Sequence, residues 1–320
     1  MISFRQTWRL LQETAVEWQS NEVSLLAASL AYYTVFSLAP LLVIVMMIVG
    51  AIFGEAAAKE QIVVQLTGLF GEQGAELIAE AIANMRADAE GGTFQLLFNL
   101  GFLLFGATGV FAQIQNALDR IWEVKPSPKQ QLFNFLRKRL LSFVMVLAIA
   151  CVLLLSFVGN TVLTALVDFL NSLVPGSGYL WQILSLLISL GITTAIFALM
   201  YTVLPDVEIA WRDTLVGAGV TAILFLVGQF LFGLFLSQTN FGSAYGVAGS
   251  FAIVITWIFY AAQVLLLGAE FTKVFAKQRG FAIVPSQYAI SLSNAEQERS
   301  LKPKRQDTAF RQFRHRRPRK

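Results

Sequence analysis

The chain has 320 residues, of which 56% are hydrophobic and 14% charged, with a formal net charge of +4 and a mean hydropathy of +0.63. A soluble domain carries roughly 25% charged residues, so an ordinary water-soluble globule is excluded. Five stretches (residues 23–54, 91–118, 140–167, 169–205 and 214–269) contain no Asp, Glu, Lys or Arg, and such continuous apolar runs speak for helices rather than for the ~10-residue alternation of a β-barrel.

In chain order, residues 1–22 come first, with Trp8, Leu11, Ala15 and Trp18 at spacings of three or four. This predicts a cytoplasmic amphipathic helix, suited to the membrane interface or to packing on a bundle. Residues 23–280 then predict an all-α, polytopic membrane domain. A helix crossing ~30 Å of hydrocarbon needs about 20 apolar residues, so the first three charge-free stretches hold one span each. The fourth holds a span after the breaker-rich NSLVPGSG (171–178), and the fifth divides into two at SQTNFGSAY (237–245). Six transmembrane helices result, near 25–53, 94–117, 140–167, 180–204, 214–237 and 246–272. The first serves as an uncleaved signal anchor, since no Ala-x-Ala-like cleavage site follows a short apolar core.

The loop 54–92 predicts an extracytoplasmic amphipathic helical hairpin. Ile62, Leu66, Leu69 and Phe70 share one face, and Leu77, Ile78, Ala81, Ile82 and Met85 share another, with Gly71 and Gly74 between them. Glu60, Glu72, Glu76, Glu80, Asp88 and Glu90 face water. The loop 118–139 carries the helix breakers Pro126 and Pro128, then Arg137-Lys138-Arg139 against the third span. Basic residues at that position attract anionic headgroups and fix topology. Residues 281–320 end in RQFRHRRPRK and predict a disordered basic cytoplasmic tail. Of the 24 Lys and Arg, only Lys59 and Arg86 fall in the odd-numbered loops, so the positive-inside rule puts both termini in the cytoplasm of a bacterial plasma (inner) membrane.

Polar side chains at membrane depth are costly against lipid and mark function. In LAYYTVFSLAPLL (30–42), Pro40 removes an N–H that the Phe36 carbonyl would have accepted, which predicts a bend or unwinding with Thr34 and Ser37 supplying donors. Tyr33, Ser37 and Pro40 share a helical face, with Tyr32 beside them. Gln113 and Asn116 on the second span, and Tyr245, Gln263 and Glu270 on the sixth, complete a candidate polar cavity. The same groups also serve as hydrogen-bonded joints between helices, with Glu270 paired to Lys273 at the interface, and both readings stand open. Gly217, Gly219, Gly228, Gly233, Gly246 and Gly249 allow close approach of the last two spans.

Catalytic chemistry finds little support. The one histidine, His315, is in the tail, the one cysteine, Cys151, has no basic neighbour, and GxxxxGK[ST] is absent. The expectation is therefore no enzyme, no cofactor and no metal.

LLAASLAYYTVFSLAPLL (25–42), ALDRIWEV (117–124), YTVLPDVEIAWRDTLVGA (201–218), AYGVAGSF (244–251) and LLLGAEFTKV (265–274) occur in order across residues 10–280. Together they resemble the YihY/BrkB family of bacterial inner-membrane proteins. The resemblance implies six membrane helices. One member is linked to serum resistance and another to lipid export, and some carry the name ribonuclease BN. It matches Tyr32, Tyr33, Ser37, Pro40, Asn116 with Asp119 nearby, Pro205, Tyr245, Gly246 and Glu270, and assigns a role to none. The expected function is a secondary transporter or lipid-type translocator of the cell envelope, with membrane lipids and a small solute or lipid as partners and no specific nucleic acid. A non-transporting scaffold for envelope partners is the alternative, and a ribonuclease ranks last.

Overall fold

The computed structural model of the chain describes residues 4–87, 93–127, 136–148, 151–152, 178–238, 241–280, 284–286 and 289–291. Most of them are helical. The helices are α1 (Phe4–Ser20), α2 (Val23–Phe53), α3 (Glu55–Ala87), α4 (Thr93–Ile121), α5 (136–148), α6 (Gly178–Val203), α7 (Trp211–Gln238) and α8 (Phe241–Gln278). Two short antiparallel strand pairs accompany them. β1 (Val124–Pro126) pairs with β4 (Ala289–Ser291), Lys125 opposite Ile290, and β2 (Val207–Glu208) pairs with β3 (Val284–Pro285).

Among the described residues, four segments are long and apolar enough to cross a membrane: Val23–Phe53, Ile183–Val203, Trp211–Gln238 and Val247–Gln278. They correspond to the predicted first, fourth, fifth and sixth spans. The predicted second span lies within α4, a helix of 29 residues. Of the predicted third span, only 140–148 and 151–152 are described. The apolar windows of α2 and α8 are 44% and 50% buried, against 11% and 17% for α6 and α7, so α2 and α8 form the centre and α6 and α7 the flank.

Local backbone chemistry sets the joints. Glu22 adopts a left-handed conformation (φ 53°) and separates α1 from α2. Gly54 (φ 91°) ends α2, and Gly71 (φ 72°) interrupts α3, dividing it into two helical halves; both positions need a residue without Cβ. Ala58, Ile62, Leu66 and Phe70 from the first half, and Ala75, Ile78 and Ile82 from the second, are buried. Leu41 to Met46 and Val49 on the C-terminal half of α2 join them in one core. A Cβ at Gly74 would press on Val254 of α8, so the hairpin also lies close against that helix.

Two expectations change. α2 continues as one helix through Pro40, so of the expected bend or unwinding the unwinding does not occur. The Thr34 hydroxyl donates to the Leu30 carbonyl at 2.7 Å, nearly two turns away from the Phe36 carbonyl that Pro40 deprives; the loss of a single bond does not break a helix held by tertiary packing on both sides. Part of the predicted tail is also paired. Val284–Pro285 and Ala289–Ser291 pair as strands with the loops after α6 and α4, because those loops expose backbone groups that need partners. Residues 292–320 and His315 lie outside the described residues.

Candidate functional site

Polar side chains gather in two places: a seam between α2 and α4, and a charged layer at one end of the bundle. The seam arises because α2 and α4 run antiparallel with their small and polar residues at three- and four-residue spacing. At its charged end Arg120 Nη2 lies 3.2 Å from Glu22 Oε2. Two turns inward, Gln113 donates from Nε2 to Ser29 Oγ at 3.1 Å. Further along, a Cβ on Gly109 would meet Ser37 Oγ at 3.0 Å, and one on Gly106 would meet Pro40 at 3.0 Å. Ser29, Tyr33, Ser37 and Pro40 fall on one face of α2, and Gly106, Gly109, Gln113, Asn116 and Arg120 on one face of α4. From Glu22 to Pro40 the seam runs about 27 Å at 1.5 Å per residue.

The predicted cavity residues are distributed unevenly along it. Ser37 and Pro40 are buried where the α4 glycines let the helices touch, and Gln113 is half-buried. Tyr33 is 49% exposed and Tyr32 59% exposed. Their rings meet edge-to-face, and Tyr32 also meets Phe36 at a tilt, so these aromatics form the outer lip of the seam. Asn116 shares the α4 face but is exposed. Gln263 is half-buried on α8 and makes no hydrogen bond among the described residues. The Tyr245 side chain lies outside the described residues. Glu270 is in the charged layer instead. The structure therefore brings Tyr33, Ser37, Pro40 and Gln113 together and leaves Gln263 and Glu270 apart.

The charged layer joins the ends of α1, α4, α6 and α8 to the starts of α2, α5 and α7. Lys273 is fully buried and reaches Glu123 Oε1 at 2.8 Å, Glu17 Oε2 at 2.9 Å and Glu270 Oε2 at 3.9 Å. Glu270, equally buried, accepts from Asn21 Nδ2 at 2.6 Å. The hydrogen bond from Lys273 holds the Glu123 carboxyl below its ordinary range. A second group binds α4, α5 and α6. Lys138 Nζ lies 2.8 Å from Asp119 and 3.6 Å from Asp206, Arg137 reaches Asp206 at 2.8 Å, and the Asp206 N–H donates to Asp119 Oδ1 at 2.9 Å. Burial pushes the Asp119 carboxyl up, against the pull of Lys138. Arg279 of the turn after α8 bonds Asp213 of α7 at 2.7 Å.

Asp119, Asp206 and Asp213 stand in loops between the predicted spans, where charges are ordinarily solvated. They are 4%, 2% and 0% exposed, and the available signal was their position beside buried apolar residues in ALDRIW and LPDVE. Gly106 and Gly109 were also missed, although they stand a turn apart in GATG. On the flank, Gly217 and Gly228 of α7 admit Thr272 and Tyr260 of α8, and Gly268 of α8 admits Thr221 and Tyr201. The buried Tyr201 hydroxyl donates to the Leu265 carbonyl at 2.6 Å, which ties α6 to α8. Gly219 and Gly233 face open space.

The family model described as virulence factor BrkB matches residues 14–288. The chain belongs to the BrkB family. A UPF0761 membrane protein of Pseudoalteromonas translucida is 28% identical over 258 residues, covering 79% of this chain and 81% of its own length. Similar proteins, also called UPF0761 membrane proteins, occur in Mannheimia succiniciproducens (27% identical, covering 82% of this chain and 88% of the relative) and Psychromonas ingrahamii (28%, 85% and 91%). No solved structure matches the chain. The matched region takes in both the seam and the charged layer, so this BrkB-family chain is an integral membrane protein whose polar groups lie within the shared part.

Proposed function

We propose that this BrkB-family protein is a secondary transporter or lipid-type translocator of the bacterial inner membrane, acting without ATP and without a chemical step. In this reading all six predicted spans cross the bilayer, the α3 hairpin is extracytoplasmic, and both termini are cytoplasmic. The observation that carries it is the α2–α4 seam. Polar contacts run from the Arg120–Glu22 pair through Gln113–Ser29 to Ser37, while Tyr33 and Asn116 stay accessible along its edge. A seam built only as a joint would bury its polar members; one with a hydroxyl and an amide left open offers hydrogen bonds to a headgroup or solute sliding past. Glycines opposite Ser37 and Pro40 make the inner half of the seam a tight contact, the kind that parts by small helix shifts.

The test is a proteoliposome assay with fluorescent phospholipids and candidate solutes. Wild-type protein should move a substrate, and Gln113→Leu with Ser29→Ala should slow that movement about tenfold while the protein elutes and melts normally. Normal transport by the double variant, or no movement of any substrate by wild type, contradicts the proposal.

One observation favours the scaffold as a second reading: Glu60, Glu72, Glu76 and Glu80 are all exposed on α3. A docking role predicts that neutralising these four abolishes cellular function and that the seam variant is silent. The translocator reading predicts the reverse.

A further inference from the structure

Arg137, Lys138 and Arg139 are consecutive in α5, and the ~100° turn between helical neighbours sends them different ways. The first two are neutralised by Asp206 and Asp119 in the charged layer. Arg139 points away from it. Its Nη2 donates to the Phe105 carbonyl at 2.6 Å, and its guanidinium lies 4.2 Å from the centre of the Phe105 ring. Among the described residues no carboxylate pairs with it. A guanidinium has five N–H donors, so most remain unused.

The surroundings are apolar. Arg139 lines an open groove of about 500 Å³ between α4 and α5, with Gly101, Leu104, Phe105, Thr108, Leu140 and Phe143. Phe105 and Leu140 are 65% and 64% exposed, so the groove opens to the outside of the bundle. The Thr108 hydroxyl is already spent on the Leu104 carbonyl at 2.6 Å. Among the described residues, the one polar group of this groove with donors to spare is cationic, and Arg139 stands directly before the predicted span 140–167.

An arginine at the end of a span has a side chain long enough to reach the headgroup level, and it is unfavourable there against acyl chains unless an anion meets it. The anion that a lipid-facing groove encounters is a phosphodiester, and guanidinium suits phosphate oxygens by its planar, bidentate geometry. We propose that the α4–α5 groove is a binding site for an anionic phospholipid, its phosphate on Arg139 and an acyl chain along Gly101, Leu104, Leu140 and Phe143. The site rests on α4 being a membrane span and does not rest on transport. It lies on the α5 side of α4, apart from the Gly106–Gln113 face that meets α2.

Native mass spectrometry of the full-length protein, delipidated and titrated with phosphatidylglycerol or phosphatidylcholine, tests it. Wild type should retain phosphatidylglycerol preferentially, and millimolar inorganic phosphate should not displace it. Arg139→Gln should weaken phosphatidylglycerol binding about tenfold and abolish the preference over phosphatidylcholine. Arg212→Gln, which removes an exposed basic residue elsewhere, should bind as wild type does. Should Arg139→Gln fail to fold, Gly101→Leu decides: a Cβ at Gly101 meets nothing within 4 Å, so leucine fills the groove without a clash and should displace the lipid with Arg139 intact. Unchanged phosphatidylglycerol binding by either folded variant, equal retention of both lipids by wild type, or displacement by free phosphate overturns the proposal. Loss of transport in the seam variant with lipid binding intact would leave this site standing, so the two proposals fail separately.

Discussion

Lys273 has no exposed surface, yet its ammonium is surrounded by Glu17, Glu123 and Glu270. A buried ion group is a weak source of net stability, because desolvation opposes the attraction. Removing one partner is another matter, since it leaves a bare charge in a low dielectric. Lys273→Met should therefore cost about 3–5 kcal/mol, read as a fall in melting temperature of the detergent-solubilised protein. Glu270→Gln keeps an oxygen for Asn21 and removes the stranded charge. The double variant should be more stable than Lys273→Met alone, by a coupling of about 1–3 kcal/mol. Additive losses would mean that Lys273 answers only to the half-exposed Glu17 and Glu123. The spacing of Glu270 and Lys273 marked them in the sequence as a possible pair; Glu17 and Glu123, far along the chain, could not be assigned to them without the fold.

At the scale of helices, glycine positions separate packing from open surface, and the sequence presents them all alike. Gly268 lies under Thr221 and the Tyr201 hydroxyl, whereas a Cβ on Gly219 meets nothing. Gly268→Ala should push Tyr201 off the Leu265 carbonyl and cost about 1–3 kcal/mol of overpacking. Gly219→Ala should cost nothing, since alanine is the better helix former. Thermal melts of the two variants check this, and equal effects would contradict the α6–α7–α8 contact. Pro40 carries a related lesson. Its chemistry was legible as a missing donor in α2, but whether the helix unwinds depends on what supports it from outside. Here that support comes from the Gly106 face of α4 and the buried α3 hairpin, which lie tens of residues away.

For the whole molecule, element placement was legible because charge-free runs and breaker clusters report it locally. The apolar stretches of α2, α6, α7 and α8 fall where they were expected, and on the α3 faces Ile62, Leu66, Phe70, Ile78 and Ile82 are buried, whereas Ala81 is exposed. The site was legible in residue type and only partly in grouping. Tyr32 and Tyr33 were expected to look inward, but α4 presents small residues opposite Ser37 and Pro40 and leaves the rings at the lip. Glu270 was grouped with Gln263 in one candidate cavity, while the charge of Lys273 and the reach of Asn21 hold it in the end layer. The ion pairs Arg120–Glu22, Lys273–Glu123 and Arg279–Asp213 gather helix starts and helix ends at one end of the bundle, the end that the proposed orientation puts in the cytoplasm.

Labelling with a membrane-impermeant maleimide tests that orientation directly. On a Cys151→Ala background, single cysteines replace Glu60 on the hairpin and Arg212 at the charged end, both exposed. Position 60 should react in intact cells with a permeable outer membrane, and position 212 only after the inner membrane is opened. Reaction at 212 in intact cells, or protection at 60, would contradict the arrangement from which the seam, the groove and the charged layer take their meaning.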